Sequence, residues 1–136
     1  MQTYRLDPVP QTRRVVRLVP NDRFAIDPTP IRRLFQTLPQ DQAEDLVAHA
    51  IDDLAKTLDR MEDALANCCF HDIALHANEA AAVAQAIGLT DLRTVADHLI
   101  RCVAAGNTNA LLPLMARFSR LLNHAPNDLW TAKGAV

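Results

Sequence analysis

Between residues 40 and 123, apolar residues recur three and four positions apart in four separate runs. This is the spacing that gathers side chains on one side of an α-helix. The first run, near 41–66, passes through Leu46, Val47, Ala50, Ile51, Leu54, Leu58, Met61 and Leu65. The second, near 70–87, turns Ile73, Ala77, Ala80, Ala84 and Ile87 inward, and its three alanines predict close approach of a neighbouring helix. The third, near 91–105, carries Leu92, Val95, Ala96, Leu99, Cys102 and Val103, and the fourth, near 108–123, carries Leu111, Leu114, Met115, Phe118, Leu121 and Leu122. Gly88 and Gly106 close the second and third runs, since glycine takes the left-handed geometry that ends a helix. Asp41 with Glu44 three residues on has the capping-box spacing, Thr90 reads as a cap, and Pro113 falls in a first turn, where it is tolerated. Four helices with short joints and one apolar face each predict an all-α chain, an antiparallel up-down four-helix bundle over residues 39–124.

The flanks have a different texture. Pro8, Pro10, Pro20, Pro28, Pro30 and Pro39 break up the start, so residues 1–38 read as an arm followed by a short helix. Within the arm, Val15-Val16-Arg17-Leu18-Val19 is expected as a short extended piece packed on the bundle. Thr29 is the expected N-cap of the short helix, with Pro30 at its first position ahead of Ile31, Leu34 and Phe35. Residues 125–136 are expected as a loop-like tail that Trp130 pins down.

Composition agrees with helices. The 136 residues hold 3 glycines and 4% aromatics, which argues against a sandwich or a barrel. No run of eighteen apolar residues is present and no apolar segment follows the N-terminus, so the expectation is a cytoplasmic protein with no signal peptide and no membrane span. Cys68, Cys69 and Cys102 make an odd set with two neighbours, which favours buried free thiols over a disulfide framework.

The net charge of -2 hides a division. Residues 1–33 contain Arg5, Arg13, Arg14, Arg17, Arg23, Arg32 and Arg33 against three aspartates, whereas residues 41–66 contain eight acids against Lys56 and Arg60. Such an arm could fold back on the acidic helix or reach a partner. Its arginines are too dilute to indicate nucleic-acid binding.

The outward stripe of the second helix, formed by His71, Leu75, Asn78, Ala82 and Gln85, carries no fixed charge. Surface helices usually place Lys and Glu on that side, so an uncharged one is read as a docking surface for another protein.

In order and spacing the chain resembles the histidine-containing phosphotransfer (HPt) domain of bacterial phosphorelays. That family's pattern is Ala-His, two residues, Lys-Gly, then small residues up to a glycine ten positions after the histidine. Counted back from Gly88, it falls on Ala77-Asn78 and Ala81-Ala82, and the later helix with its Gly-Asn turn falls on Val95-Ala96 through Leu99 and Cys102 to Gly106-Asn107. The resemblance covers about residues 41–122, most strongly 73–107, and implies a four-helix bundle whose second helix docks a response-regulator receiver or a histidine kinase. Asn78 stands where the family has its phosphoacceptor histidine and has no ring nitrogen to attack phosphorus. Ala81 replaces the lysine that could steady phosphoryl oxygens. The resemblance therefore implies a non-catalytic adaptor or inhibitor with a binding set of His71, Leu75, Asn78, Ala81, Ala82 and Gln85, and with neither catalytic residue nor cofactor.

Two alternatives stay open. One is active phosphotransfer on His76 or His71. His76 lies about 160° round the wheel from Asn78 and only about 40° from the centre of the inward side, so it reads first as a part-buried histidine satisfied by a neighbour. His71 is on the exposed stripe, but no lysine or glycine follows it at the family spacing. The other alternative is a homodimerisation or structural module, in which the exposed alanines meet a second copy.

His49, His98 and His124 read as surface residues. Cys68, Cys69, His71 and His76 cannot converge tetrahedrally at about 2.0–2.3 Å without a broken helix, so no metal site is expected. The cysteines are expected to pack in the core near the bundle end. No phosphate-cradling loop is present, and Asp52 and Asp53 belong to a solvated acidic face.

Overall fold

The computed structural model describes residues 26–134 and their side chains as far as Thr131. The basic arm, including Val15–Val19, lies outside the described residues. Five α-helices follow in order: α1 (Pro28–Thr37), α2 (Gln40–Ala66), α3 (Phe70–Ala86), α4 (Thr90–Ala104) and α5 (Leu111–Gly134), the last preceded by a 3-10 turn at Thr108–Ala110. There is no strand among the described residues. Nor is any helix among them long and apolar enough to cross a membrane.

α1 is capped by Asp27, whose carboxylate accepts the Thr29 N–H at 3.0 Å. The expected cap at Thr29 is thus corrected by two residues, and Pro28 takes the first helical position. α2 begins one residue after Pro39 without a side-chain cap, so Asp41 lies inside the first turn, where its charge still suits the helix dipole. The carboxylate of Glu44 accepts instead from the Gln40 amide at 3.1 Å. α4 likewise begins with Thr90, which is not its cap.

Three successive helices end in the same way. After α2, the Cys69 N–H bonds Ala64 O at 2.8 Å and the Cys68 N–H bonds Leu65 O at 3.1 Å. After α3, the Leu89 N–H bonds Ala84 O at 2.8 Å and the Gly88 N–H bonds Gln85 O at 3.2 Å. After α4, the Asn107 N–H bonds Cys102 O at 2.9 Å and the Gly106 N–H bonds Val103 O at 3.1 Å. Each is a Schellman motif, with the residue after the C-cap in the left-handed region: Cys68 at φ 57, Gly88 at φ 84 and Gly106 at φ 71. Three-residue connections therefore join α2 to α3, α3 to α4, and α4 to the 3-10 turn.

α3 packs on both α2 and α4, α4 packs on α5, and α5 returns to α2 while also covering α1. The inward residues of α3, namely Ile73, Ala77, Ala80, Ala84 and the following Ile87, are all buried as expected. Leu92, Val95, Ala96 and Leu99 of α4 and Leu111, Met115, Phe118, Leu121 and Leu122 of α5 join them in one core. Thr57 is buried there too, its hydroxyl donating to Asp53 O at 2.8 Å.

Several expectations fail. Leu46, placed in the core stripe, is 50% exposed. Cys68 and Cys69 occupy the exposed α2–α3 turn, and Cys102 is only partly buried, so the cysteines do not form a packed cluster. Residues 125–134 are helix instead of loop, and α5 runs through Pro126. Ala125 and Leu129 are buried, so packing holds the helix together where proline removes a backbone hydrogen bond.

The start of α1 is tied to the α3–α4 turn. The Asp27 N–H donates to Gly88 O at 2.7 Å. A Cβ on Gly88 would run into the Asp27 carbonyl oxygen. Gly88 is therefore required twice, by its own φ and by the approaching chain.

Candidate functional site

The uncharged stripe on α3 follows from helical geometry. His71, Leu75, Asn78, Ala82 and Gln85 recur at three and four positions, opposite the buried alanines, and all five are exposed. Leu75 leaves 51% of its surface open and is the large apolar side chain of the stripe. Ala81 does not belong with them. Expected in the binding set, it is 8% exposed and packs in the core beside Ala77, Ala80 and Ala84, away from the open stripe. The stripe offers an apolar centre at Leu75 and Ala82, with amides at Asn78 and Gln85 that both donate and accept hydrogen bonds. Asp72 and Glu79 are exposed about 80–100° to one side of it.

His76 sits off the stripe. Its side chain is 26% exposed, and its Nδ1 lies 3.1 Å from a carboxylate oxygen of Glu79, one turn on. That is the part-buried, neighbour-satisfied histidine that its wheel position implies. A carboxylate at Nδ1 holds the ring in one orientation and leaves Nε2 as the second nitrogen. His71 is exposed at the start of α3, next to the turn that carries Cys68 and Cys69. His49 is exposed with its Nδ1 2.8 Å from Asp45 O of its own helix, and His98 and His124 are exposed as well. Among the described residues, no three His, Cys, Asp or Glu side chains group closely enough to hold a metal ion.

Among the described residues, one acid is perturbed, and it lies elsewhere. Burial pushes the Asp128 carboxyl of α5 above its ordinary value, and His124 one turn earlier pulls it partly back.

A second surface feature lies partly outside the four expected helices. α1, the first half of α2 and the end of α5 enclose an apolar groove of about 320 Å³, lined by Ile31, Phe35, Val47, Ala48, Ile51, Leu129 and Trp130 among others. The signal for it was in the chain: Phe118, Leu121, Leu122, Ala125 and Leu129 continue one helical stripe. Pro126 disguised it as a tail. No protein-family model matches this chain, and neither does any curated protein or solved structure.

Proposed function

We propose that α2–α5 form an antiparallel up-down bundle of the histidine-containing phosphotransfer type with α1 as an added helix, and that the protein is a non-catalytic bacterial signalling adaptor or inhibitor. Its partner is a response-regulator receiver or a histidine kinase, docked on α3. The closed order of contacts, α2 on α3, α3 on α4, α4 on α5 and α5 on α2, supports the architecture. The observation that carries the function is the exposed, charge-free face of His71, Leu75, Asn78, Ala82 and Gln85. A receiver that docks there would meet an amide at Asn78 in place of an imidazole, so association occurs without phosphoryl transfer.

The experiment is to incubate the protein with an active kinase and a phosphorylated receiver, then measure acid-labile phosphate on it. The expected outcome is binding with no label. A second reading, active transfer on His76, draws on the Glu79 contact at Nδ1, which would orient the ring for attack through Nε2. Label that disappears in His76→Ala would establish that reading in place of the first. Label lost only in His71→Ala would move the phosphoacceptor to the exposed stripe.

A further inference from the structure

The three Schellman turns share one backbone geometry but not one chemistry. Gly88 and Gly106 hold the left-handed position after α3 and α4, whereas Cys68 holds it after α2 at φ 57. A side chain at that position carries strain that glycine avoids. Among the described residues, Cys68 is the one non-glycine residue with a positive φ. The next residue is a second cysteine, and both thiols are free and exposed. Two neighbouring nucleophiles on a strained, open turn are an outlier of the kind that points to function.

We propose that Cys68 and Cys69 form a reversible oxidation site, where hydrogen peroxide joins the two thiols in a disulfide and loosens the turn between α2 and α3.

The chemistry closes on the pair itself. One sulfur, as its thiolate, attacks a peroxide oxygen. The O–O bond breaks, an S–O bond forms, and the departing hydroxide takes up the thiol proton as water. The neighbouring sulfur then attacks the sulfenic sulfur, so that an S–S bond forms and the oxygen leaves as a second water. Two thiols and one peroxide give one disulfide and two waters. The sulfurs lose two electrons and the peroxide gains them. Because the second thiol is tethered beside the first, closure within the chain is favoured over reaction with another molecule.

The turn cannot keep its shape through this step. Adjacent Cα atoms are ~3.8 Å apart across a trans peptide, less than the ~4.4–6.8 Å that a disulfide ordinarily spans. Ring closure therefore moves the backbone at 68–69. That backbone supplies the Cys68 N–H to Leu65 O bond at 3.1 Å and the Cys69 N–H to Ala64 O bond at 2.8 Å, which end α2. It also supplies the Cys69 carbonyl that accepts the Asp72 N–H at 3.1 Å, at the opening of α3. In the thiol form the Cys69 Sγ donates instead to Asn67 O at 3.6 Å, within the same turn. The strain of so small a ring makes the bond easy to reduce, which makes the change reversible. The site belongs to the turn and stands whether or not the α3 face docks a partner.

The test treats the full-length chain with hydrogen peroxide and follows intact mass, peptide mapping and amide exchange. The expected result is loss of two hydrogens, mapped to the peptide that holds both residues, with amide protection across 67–72 falling about tenfold. Glutathione alone should restore the mass and the protection. Cys68→Gly, which relieves the left-handed strain and keeps the fold, should abolish the response, as should Cys69→Ser. Cys102→Ser should leave it intact. A bond to Cys102 or to a second chain, sulfinic acid in place of the disulfide, or a disulfide that leaves the turn's protection unchanged would overturn the proposal.

Discussion

At the scale of single residues, the three left-handed turn positions set the tightest requirements. Gly88 and Gly106 share a backbone geometry but differ in surroundings. An alanine at Gly106 meets nothing within 4 Å and carries only the left-handed strain of about 1–2 kcal/mol. An alanine at Gly88 adds a collision with the Asp27 carbonyl and must also displace the hydrogen bond that anchors α1. Gly88→Ala is therefore expected to lower the denaturant midpoint well beyond Gly106→Ala, with loss of α1 protection in hydrogen exchange only for the former. Cys68 is the opposite case, a side chain placed where glycine is easier. Cys68→Gly removes the strain at some cost in chain entropy, and a net gain of about 0.5–1 kcal/mol is expected in chemical denaturation. Both glycines are readable as helix stops because glycine is the usual residue there. The turn at Cys68 was not readable, since nothing in a cysteine signals a left-handed backbone.

At the scale of elements, α5 shows how packing overrides a local signal. Proline inside a helix costs about 3 kcal/mol. Burial of Leu129 alone returns about 1.5–3 kcal/mol, and Ala125 is sealed beside it. Leu129→Ala is accordingly expected to cost about 2–4 kcal/mol in urea unfolding and to unwind the end of α5 in amide exchange. A loop-like tail would show neither effect. α2 teaches the same lesson on one helix. Leu46 and Ala64 are eighteen residues apart, five whole turns by the roughly 100° step, so they lie on one line of the helix. Ala64 is buried and Leu46 is half exposed. Periodicity assigned the line correctly, but the neighbours decided which part of it was covered.

At the scale of the whole molecule, the α3 face is where the proposed reading and its structural rival part. Ala82 is exposed in the middle of the stripe, so Ala82→Arg puts a long cation there without disturbing the core. Stability should stay within about 0.5 kcal/mol of the parent. Affinity for a receiver or kinase domain should fall about tenfold or more, equivalent to ~1.4 kcal/mol. If the face instead joins two copies, the same variant should turn a dimer into a monomer, read as solution mass by light scattering. A variant that keeps its helicity and changes neither quantity would remove the α3 face from consideration.

The helical class and the inward faces of α3, α4 and α5 were written in the sequence, because a 3.6-residue period is a local property that any sufficiently long apolar stripe displays. The exposed stripe on α3 was legible for the same reason, as the complement of that period. Other features depended on segments far apart in the chain. Ala81 and Ala82 are adjacent and chemically identical, yet one is buried and the other open, because α3 has neighbours on two sides. The Asp27–Gly88 tie and the groove under Trp130 each need elements brought together from distant parts of the chain, and α5 continues past Pro126 because its stripe at Ala125 and Leu129 finds a core to pack against. Only tertiary packing decided them, since burial is a property of what lies across from a residue and not of what lies beside it in sequence.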